Sequence, residues 1–235
     1  MMKSFWILFI ITSSLNSYSQ FGKFSIDVND AIIKQNELAS MRDGKNQLID
    51  LSETKGTPYY RDFFSSGVVY AESTDESLGY QMRYNIYNDQ IEVQNSDDNS
   101  IVAINKNPNF LCKILEDSFK YLEYKNKNDV LTGGYFQVLS EGKTTLLLKY
   151  DCEYQPEKVG NPPVFKVTPA KFITKKTYYL LSEDKLTLIS TKKKKFLEIF
   201  SEYKGQVNNY INRNNLNTNK DRDIIRIIAY YNSLF

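Results

Sequence analysis

Histidine is absent from this chain of 235 residues, and cysteine occurs only twice. Ser-His-Asp and Cys-His nucleophiles, HExxH metalloproteases and His-ligated zinc sites all need an imidazole, so this sequence excludes those classes. The two cysteines, Cys112 and Cys152, are too few for a zinc site made of thiolates alone. The chain therefore lacks the side chains for much of the common nucleophile and zinc chemistry.

Long apolar runs and glycine-rich loops are also missing. Beyond the N-terminus, no segment reaches the ~18 uninterrupted apolar residues of a transmembrane helix. Gly133 and Gly134 form an isolated pair, which predicts a turn before a strand rather than a phosphate-binding loop. We therefore expect no transmembrane helix in the mature chain, no cofactor and no metal site.

The N-terminal residues have the pattern of a cleavable secretory signal peptide. Lys3 precedes the apolar run of residues 5–11, and Ser17 and Ser19 supply the small side chains that a signal peptidase reads. The run is far shorter than the ~20 residues that cross a bilayer, so cleavage is predicted just before Gln20. No cysteine follows the cut, which excludes lipid anchoring of the lipoprotein type. The alternative is a buried N-terminal helix or strand.

Four segments are predicted along the chain. They are the signal peptide at 1–19, an irregular or short helical segment at 20–55, a β-rich body at 56–190 and a packed helical pair at 191–235. Within the second segment, residues 29–38 are the candidate helix. Export places the protein in the periplasm, at the outer membrane or outside the cell.

Short β-type runs between turn residues fill the predicted body. Residues 80–86 alternate apolar and polar side chains, and Asn88 and Asp89 then turn the chain into a second run. Two further hairpins are predicted, one joining 135–139 to 144–150 and one joining 178–181 to 185–189. Strands joined by short turns pair antiparallel, which favours a meander that forms an open barrel or a sandwich.

Apolar residues recur at helical spacing in the last segment. The first stripe comprises Phe196, Phe200, Tyr203, Val207, Tyr210 and Ile211, and the second comprises Ile224, Ile227, Ile228, Tyr231 and Leu234. Thr218 followed by Asp221 resembles a capping box, so the second helix is expected to start there. Because strands come first and helices last, the expected class is α+β, with the helical pair docked on the sheet.

The two cysteines are the first candidate site. An exported protein favours a disulfide between Cys112 and Cys152. Both side chains share the strand parity of core residues, so the alternative is a pair of buried free thiols. Either arrangement places them facing the core.

Charge is divided unevenly along the chain. Residues 21–160 carry 15 Lys and Arg against 22 Asp and Glu, a net charge of −7, whereas residues 161–235 carry 14 against 6, a net charge of +8. Either the basic part docks on the acidic part, or it presents a surface to an anionic partner. The candidate anion-binding run consists of Lys192, Lys193, Lys194 and Lys195. Its alternative role is a solvated start to the helix.

Three segments resemble an uncharacterised family of small exported proteins of Gram-negative bacteria. They are Gly-Thr-Pro-Tyr-Tyr at 56–60, Arg-Tyr-Asn-Ile-Tyr-Asn-Asp-Gln-Ile-Glu at 83–92 and Gly-Tyr-Phe-Gln-Val-Leu-Ser-Glu-Gly-Lys at 134–143. The resemblance implies export and a β-rich body. It carries over no active site.

Three classes of function are consistent with this sequence. The expected one is an exported binding or scaffold module of the cell envelope, whose partner is an envelope protein or a glycan and not nucleic acid. Paired carboxylates could instead support a hydrolase acting on glycans, although no two acids stand out by their spacing. An outer-membrane β-barrel is the third class; residues 114–125, read as one strand, carry charges on both faces, which argues against it.

Overall fold

The computed structural model describes residues 41–45, 47–72, 76–96, 98–125, 129–160 and 166–235. The predicted signal peptide and the candidate helix at 29–38 lie outside the described residues. From residue 41 to the first strand the chain is mostly irregular, with a small turn in which Met41 and Ile49 share a backbone hydrogen bond of 2.9 Å. The described chain then divides into a sheet and a set of C-terminal helices, which confirms the α+β class.

Ten strands form one antiparallel sheet. In chain order they are β1 (Ser65–Ala71), β2 (Glu76–Asn85), β3 (Gln90–Gln94), β4 (Ile101–Ala103), β5 (Phe110–Ile114), β6 (Asp117–Lys125), β7 (Leu131–Ser140), β8 (Thr145–Gln155), β11 (Lys171–Ser182) and β12 (Lys185–Ile189). Two short strands, β9 (Lys158–Val159) and β10 (Val167–Thr168), pair separately. The sheet order is β12-β11-β8-β7-β6-β5-β1-β2-β3-β4, so β4 and β12 are its edges. It is a meander interrupted where β5 returns to pair with β1.

The predicted hairpins are present, with turn residues that fit their geometry. Glu183 and Asp184 join β11 to β12 and both have positive φ, at 48° and 63°. This is the backbone that a two-residue hairpin needs to follow the twist of the strands. The strand expected over 114–125 was wrong, because Leu115 has φ 54° and turns the chain between β5 and β6. Leucine gives no turn signal, which is why the pattern missed that hairpin.

The sheet curls strongly on itself. Five strand spacings separate β2 from β8, which is about 24 Å in a flat sheet. The rings of Tyr84 on β2 and Tyr150 on β8 nevertheless lie 6.5 Å apart between centroids, and Tyr84 also contacts Phe119 on β6 at 5.1 Å. Of the two expected architectures, the structure thus has the open barrel. We call the face that carries Tyr84 and Tyr150 the inner face.

Strands β7 and β8 separate along half of their length. They pair only between residues 137–140 of β7 and 146–148 of β8. Asp89, from the β2–β3 turn, lies at this opening: its Oδ1 accepts hydrogen bonds from the Tyr135 amide at 3.2 Å and the Tyr84 hydroxyl at 2.7 Å. Its Oδ2 is 3.5 Å from the Nζ atom of Lys149, which is buried. The turn therefore joins two distant parts of the sheet.

Gly133 and Gly134 lie inside β7, so the turn predicted there was wrong. A Cβ atom on Gly133 would lie 1.8 Å from the Tyr121 hydroxyl. On Gly134 it would lie 2.5 Å from Lys149 Nζ and 2.8 Å from Asp89 Oδ2. These glycines thus make room for neighbouring side chains rather than for a turn.

The C-terminal helices differ in detail from the predicted pair. They are α1 (Lys193–Leu197), a 3₁₀ segment (Glu198–Tyr203), α2 (Lys204–Arg213) and α3 (Asp221–Asn232). The expected first helix is broken at Ser201, which has φ 44°. The expected capping box is also wrong: α3 starts after Lys220, and the Thr218 hydroxyl donates to the Thr191 carbonyl instead. Within the part of the chain that the structure describes, no helix is long and apolar enough to span a membrane.

The helices cover the inner face of the sheet. Phe200, Val207 and Ile228 are fully buried in one cluster with the sheet residues Leu148 and Leu180. Phe200 lies 4.9 Å from the ring of Tyr231, which links the 3₁₀ segment to α3. The predicted docking of the helical stripes by apolar contacts is confirmed.

We predict that Phe200→Ala destabilises the protein by about 3–5 kcal/mol, because a fully buried aromatic side chain is replaced by a cavity. The free energy of unfolding is measured by urea denaturation. Lys194→Gln, an exposed site six residues earlier, is the control and should cost less than about 0.5 kcal/mol. Equal stability of Phe200→Ala and the unaltered protein would show that the helices are a detachable appendage.

Candidate functional site

A groove of about 1060 Å³ lies on the first four strands and β5. We call it the outer groove, because most side chains of its floor point away from the inner face. Its amide and hydroxyl groups belong to Ser66, Gln81, Gln94, Asn95, Ser96 and Ser100. Tyr70 adds aromatic surface, and Asp98 and Lys113 are its charged residues.

The strand pairing explains why a groove forms there. β3 pairs with β2 only over residues 81–85, so the half of β2 from 76 to 80 has β1 as its strand partner. Gly79 lies in that half and carries no side chain. A Cβ atom on it would meet nothing closer than the Gly67 carbonyl at 3.9 Å, which leaves the floor of the groove open.

Several polar groups of the outer groove are only weakly engaged. The Gln81 amide donates to the Ser66 hydroxyl at 3.4 Å, and the Gln94 amide donates to Asn99 at the same distance. Hydrogen bonds with a donor–acceptor distance of 3.4 Å are weak, so a ligand can replace them at little cost in free energy. Tyr70 keeps 39% of its surface exposed, which leaves much of its side chain available for contact.

A second cavity, of about 380 Å³, opens at the mouth of the barrel. We call it the mouth cleft; Tyr60, Gln137, Tyr150, Lys176 and Asp221 are among the residues that line it. Tyr60 and Tyr150 are 5.3 Å apart in an edge-to-face arrangement. Lys176, on β11, and Asp221, the first residue of α3, form an ion pair of 2.7 Å at its rim.

Asp117 organises the hydrogen bonds behind the mouth cleft. Its Oδ2 accepts bonds from the Tyr60 hydroxyl at 3.0 Å and from Arg61 at 2.8 Å, and its Oδ1 accepts one from the Gln137 amide at 2.6 Å. The Tyr150 hydroxyl then donates to Gln137 Oε1 at 2.7 Å. Burial, followed by the nearby Asp117 carboxylate, raises the pKa of Tyr60, so its hydroxyl stays protonated as a donor.

Three carboxylates of the described chain are held by cations. Glu92 is bound by Arg83 at 2.7 Å, Asp117 by Arg61 and Asp221 by Lys176. Burial raises the pKa of Asp221, but the bonds from Lys176 and Tyr178 outweigh it and leave that pKa lowered. The general acid of a glycoside hydrolase needs a raised pKa. At Asp221 the partners instead stabilise the ionised form.

Metal ligands are not clustered in the described ranges, where no group of three or more Cys, Asp or Glu residues is arranged to hold an ion.

The structure does not bring the two cysteines together. Cys112 lies on β5 and Cys152 on β8, with β6 and β7 between them, and both are free thiols. Cys112 faces the core and is completely buried, whereas Cys152 is half-buried at its edge. Of the two arrangements considered from the sequence, the structure has two free thiols and not a disulfide, although only Cys112 is fully enclosed.

The lysine run lies at the start of α1, and all four side chains are exposed. Lys193 donates to Asn212 at 2.7 Å, and within the described chain the run makes no ion pair with a carboxylate. An exposed ion pair, Lys175 with Glu153, joins the basic part of the chain to the acidic part. The helices are held by apolar contacts rather than by this charge difference.

Comparison with protein families, with curated proteins and with solved structures finds no match to this chain. The candidate sites therefore depend on their own geometry. No sequence motif marks the mouth cleft, because Tyr60, Asp117 and Gln137 are 57 and 20 positions apart. The abundance of tyrosine was the one signal of an aromatic groove, and it did not indicate which tyrosines line it.

We predict that thiol reagents label Cys152 well before Cys112 in the folded protein. Burial raises the pKa of Cys112 to about 12, so almost no thiolate forms at pH 8, and its surface is inaccessible. Burial also raises the pKa of Cys152, so its labelling should accelerate as the pH rises. Mass spectrometry after timed alkylation measures both rates.

The same experiment in denaturant without reductant should label both cysteines. A protein in which neither is labelled until reductant is added would contain the disulfide, one of the two arrangements that the sequence left open.

Proposed function

We propose that this protein is an exported binding module of the cell envelope that holds a neutral glycan in its outer groove. The observation that carries the proposal is the lining of the outer groove, in which Tyr70, amides and hydroxyls surround a cavity of about 1060 Å³. Export rests on the N-terminal sequence pattern. The choice of a neutral glycan as the ligand rests on the chemistry of the side chains that line the groove.

The lining suits a sugar better than a charged ligand. Asp98 and Lys113 are of opposite sign, so the charges of the groove cancel. Amides and hydroxyls both donate and accept hydrogen bonds, as sugar hydroxyls do. Tyrosine provides a large apolar surface with little loss of side-chain entropy, and Tyr70 is placed to contact the apolar face of a sugar ring.

The size of the outer groove favours several linked sugar units. Pockets for small ligands usually span ~300–1,000 Å³, and this groove lies just above that range. Its position on an open sheet face leaves the ends free for a longer chain. A polymer of the cell envelope can therefore lie along it.

An extended peptide is the second candidate for this groove. The half of β2 that β3 does not cover has a strand edge beside the groove, and such an edge can pair with another chain. The side chains that line the groove favour the glycan. Binding of a peptide in place of a glycan would therefore contradict the proposal.

We predict that Gly79→Tyr abolishes glycan binding while the protein stays folded. The new side chain would fill the floor of the outer groove, and tyrosine is favoured over glycine in strands. The matched control is Gly205→Tyr, because Gly205 on α2 also has open space around it. Binding is measured by affinity electrophoresis and calorimetry with β-glucan, α-mannan and chitin oligosaccharides.

Tyr70→Ala should weaken the same binding by roughly tenfold or more, as expected for an exposed aromatic contact. The proposal fails if none of these glycans binds, or if Gly79→Tyr binds as tightly as Gly205→Tyr. Capture of unstructured peptides in place of glycans would favour strand pairing at β2.

A further inference from the structure

The mouth cleft has the features of a ligand site separate from the outer groove. It opens on the inner face of the sheet, between β7, β8, β11 and the start of α3, and the mouths of β-barrels commonly bind small ligands. Its volume of about 380 Å³ is at the lower end of the range of such sites. It can therefore hold one small molecule, not a polymer.

The base of the mouth cleft is rigid. Gln137 is buried, and both ends of its amide are engaged: the nitrogen donates to Asp117 and Tyr60, and the oxygen accepts from Tyr150. These bonds fix the two tyrosine rings that line the cleft. A ligand meets a preformed surface and does not have to order it, which favours binding.

The rim of the mouth cleft keeps hydrogen-bonding capacity. Lys176 donates to Asp221 Oδ2 and has two further N–H bonds. Asp221 also accepts from the Tyr178 hydroxyl, and each carboxylate oxygen can accept a second bond. The Thr174 hydroxyl, on the same strand as Lys176, bonds to the Cys152 thiol and adds an acceptor. A ligand that both donates and accepts can bind here without breaking the ion pair.

Charge limits the class of ligand. Lys176 and Asp221 cancel each other at the rim, and Arg61 is paired with Asp117 behind the cleft. An anion would be repelled by Asp221 and a cation by Lys176, and neither would recover the cost of losing its water. A neutral molecule with hydroxyl groups and one apolar face fits both the rim and the tyrosines.

We propose that the mouth cleft binds a single neutral sugar ring. The ring lies against Tyr60 and Tyr150, with its hydroxyls bonded to Lys176, Asp221 and Thr174. The inference does not depend on the outer groove, because the two sites share no residue.

Titration with glucose, galactose, mannose and N-acetylglucosamine, followed by calorimetry and by amide NMR shifts, tests the proposal. At least one of them should bind with a Kd in the millimolar range or tighter. Lys176→Met should weaken that binding by tenfold or more, and Asp221→Asn should do the same. Lys175→Met is the matched control, since Lys175 is the preceding residue of β11 and pairs with the exposed Glu153. Thermal melting checks that each variant folds.

The outcomes separate this site from the outer groove. Gly79→Tyr should leave monosaccharide binding unchanged, and Lys176→Met should leave polysaccharide binding unchanged. If polysaccharides bind but no monosaccharide does, the mouth cleft proposal is overturned and the outer groove stands. Binding of glycine in place of sugars, or equal loss in Lys175→Met and Lys176→Met, also overturns it.

Discussion

The contact between Asp89 and Lys149 is the constraint on which the shape of this protein depends. Lys149 is buried beside the opening between β7 and β8, and the carboxylate of Asp89 reaches it from the β2–β3 turn. A buried ammonium without a partner would be costly. The same carboxylate accepts a hydrogen bond from the Tyr135 amide, which lies in the part of β7 that does not pair with β8. With the Tyr84 hydroxyl, one side chain thus satisfies three groups and holds opposite parts of the sheet together.

The mouth cleft follows from this closure, and the outer groove follows from the lengths of the strands. Curling brings Tyr84 onto Tyr135 and Tyr150, which fills the inside of the barrel with aromatic rings and leaves the mouth cleft at its end. On the other face, the short β3 and β4 leave half of β2 uncovered, and the outer groove forms beside it. Ligands would therefore meet a surface whose position is set by the fold.

Most local features of the fold could be predicted from the sequence, because a hairpin or a helix is usually encoded within a few residues. The turn at Leu115 and the break at Ser201 are the exceptions, since neither residue type signals them. Glu183 and Asp184 mark a turn, and the stripe that contains Phe200 and Val207 marks a helix face. The sites could not be predicted in the same way. They combine residues that are far apart in sequence, and the pairing of β5 with β1 brings them together. The turn predicted at Gly133 and Gly134 was wrong for a similar reason. The atoms that leave no room for a Cβ atom there belong to Tyr121, Lys149 and Asp89, which are distant in sequence.

The most direct test of this account is a double-mutant cycle on Asp89 and Lys149, measured as the free energy of unfolding in urea. Asp89→Ala should destabilise the protein by about 3–5 kcal/mol, because it leaves a buried charge unpaired. In the Lys149→Met background the same change should cost less by at least about 1 kcal/mol, since the charge is gone. Additive effects, within about 0.5 kcal/mol, would contradict the claim that this contact holds the curled sheet together.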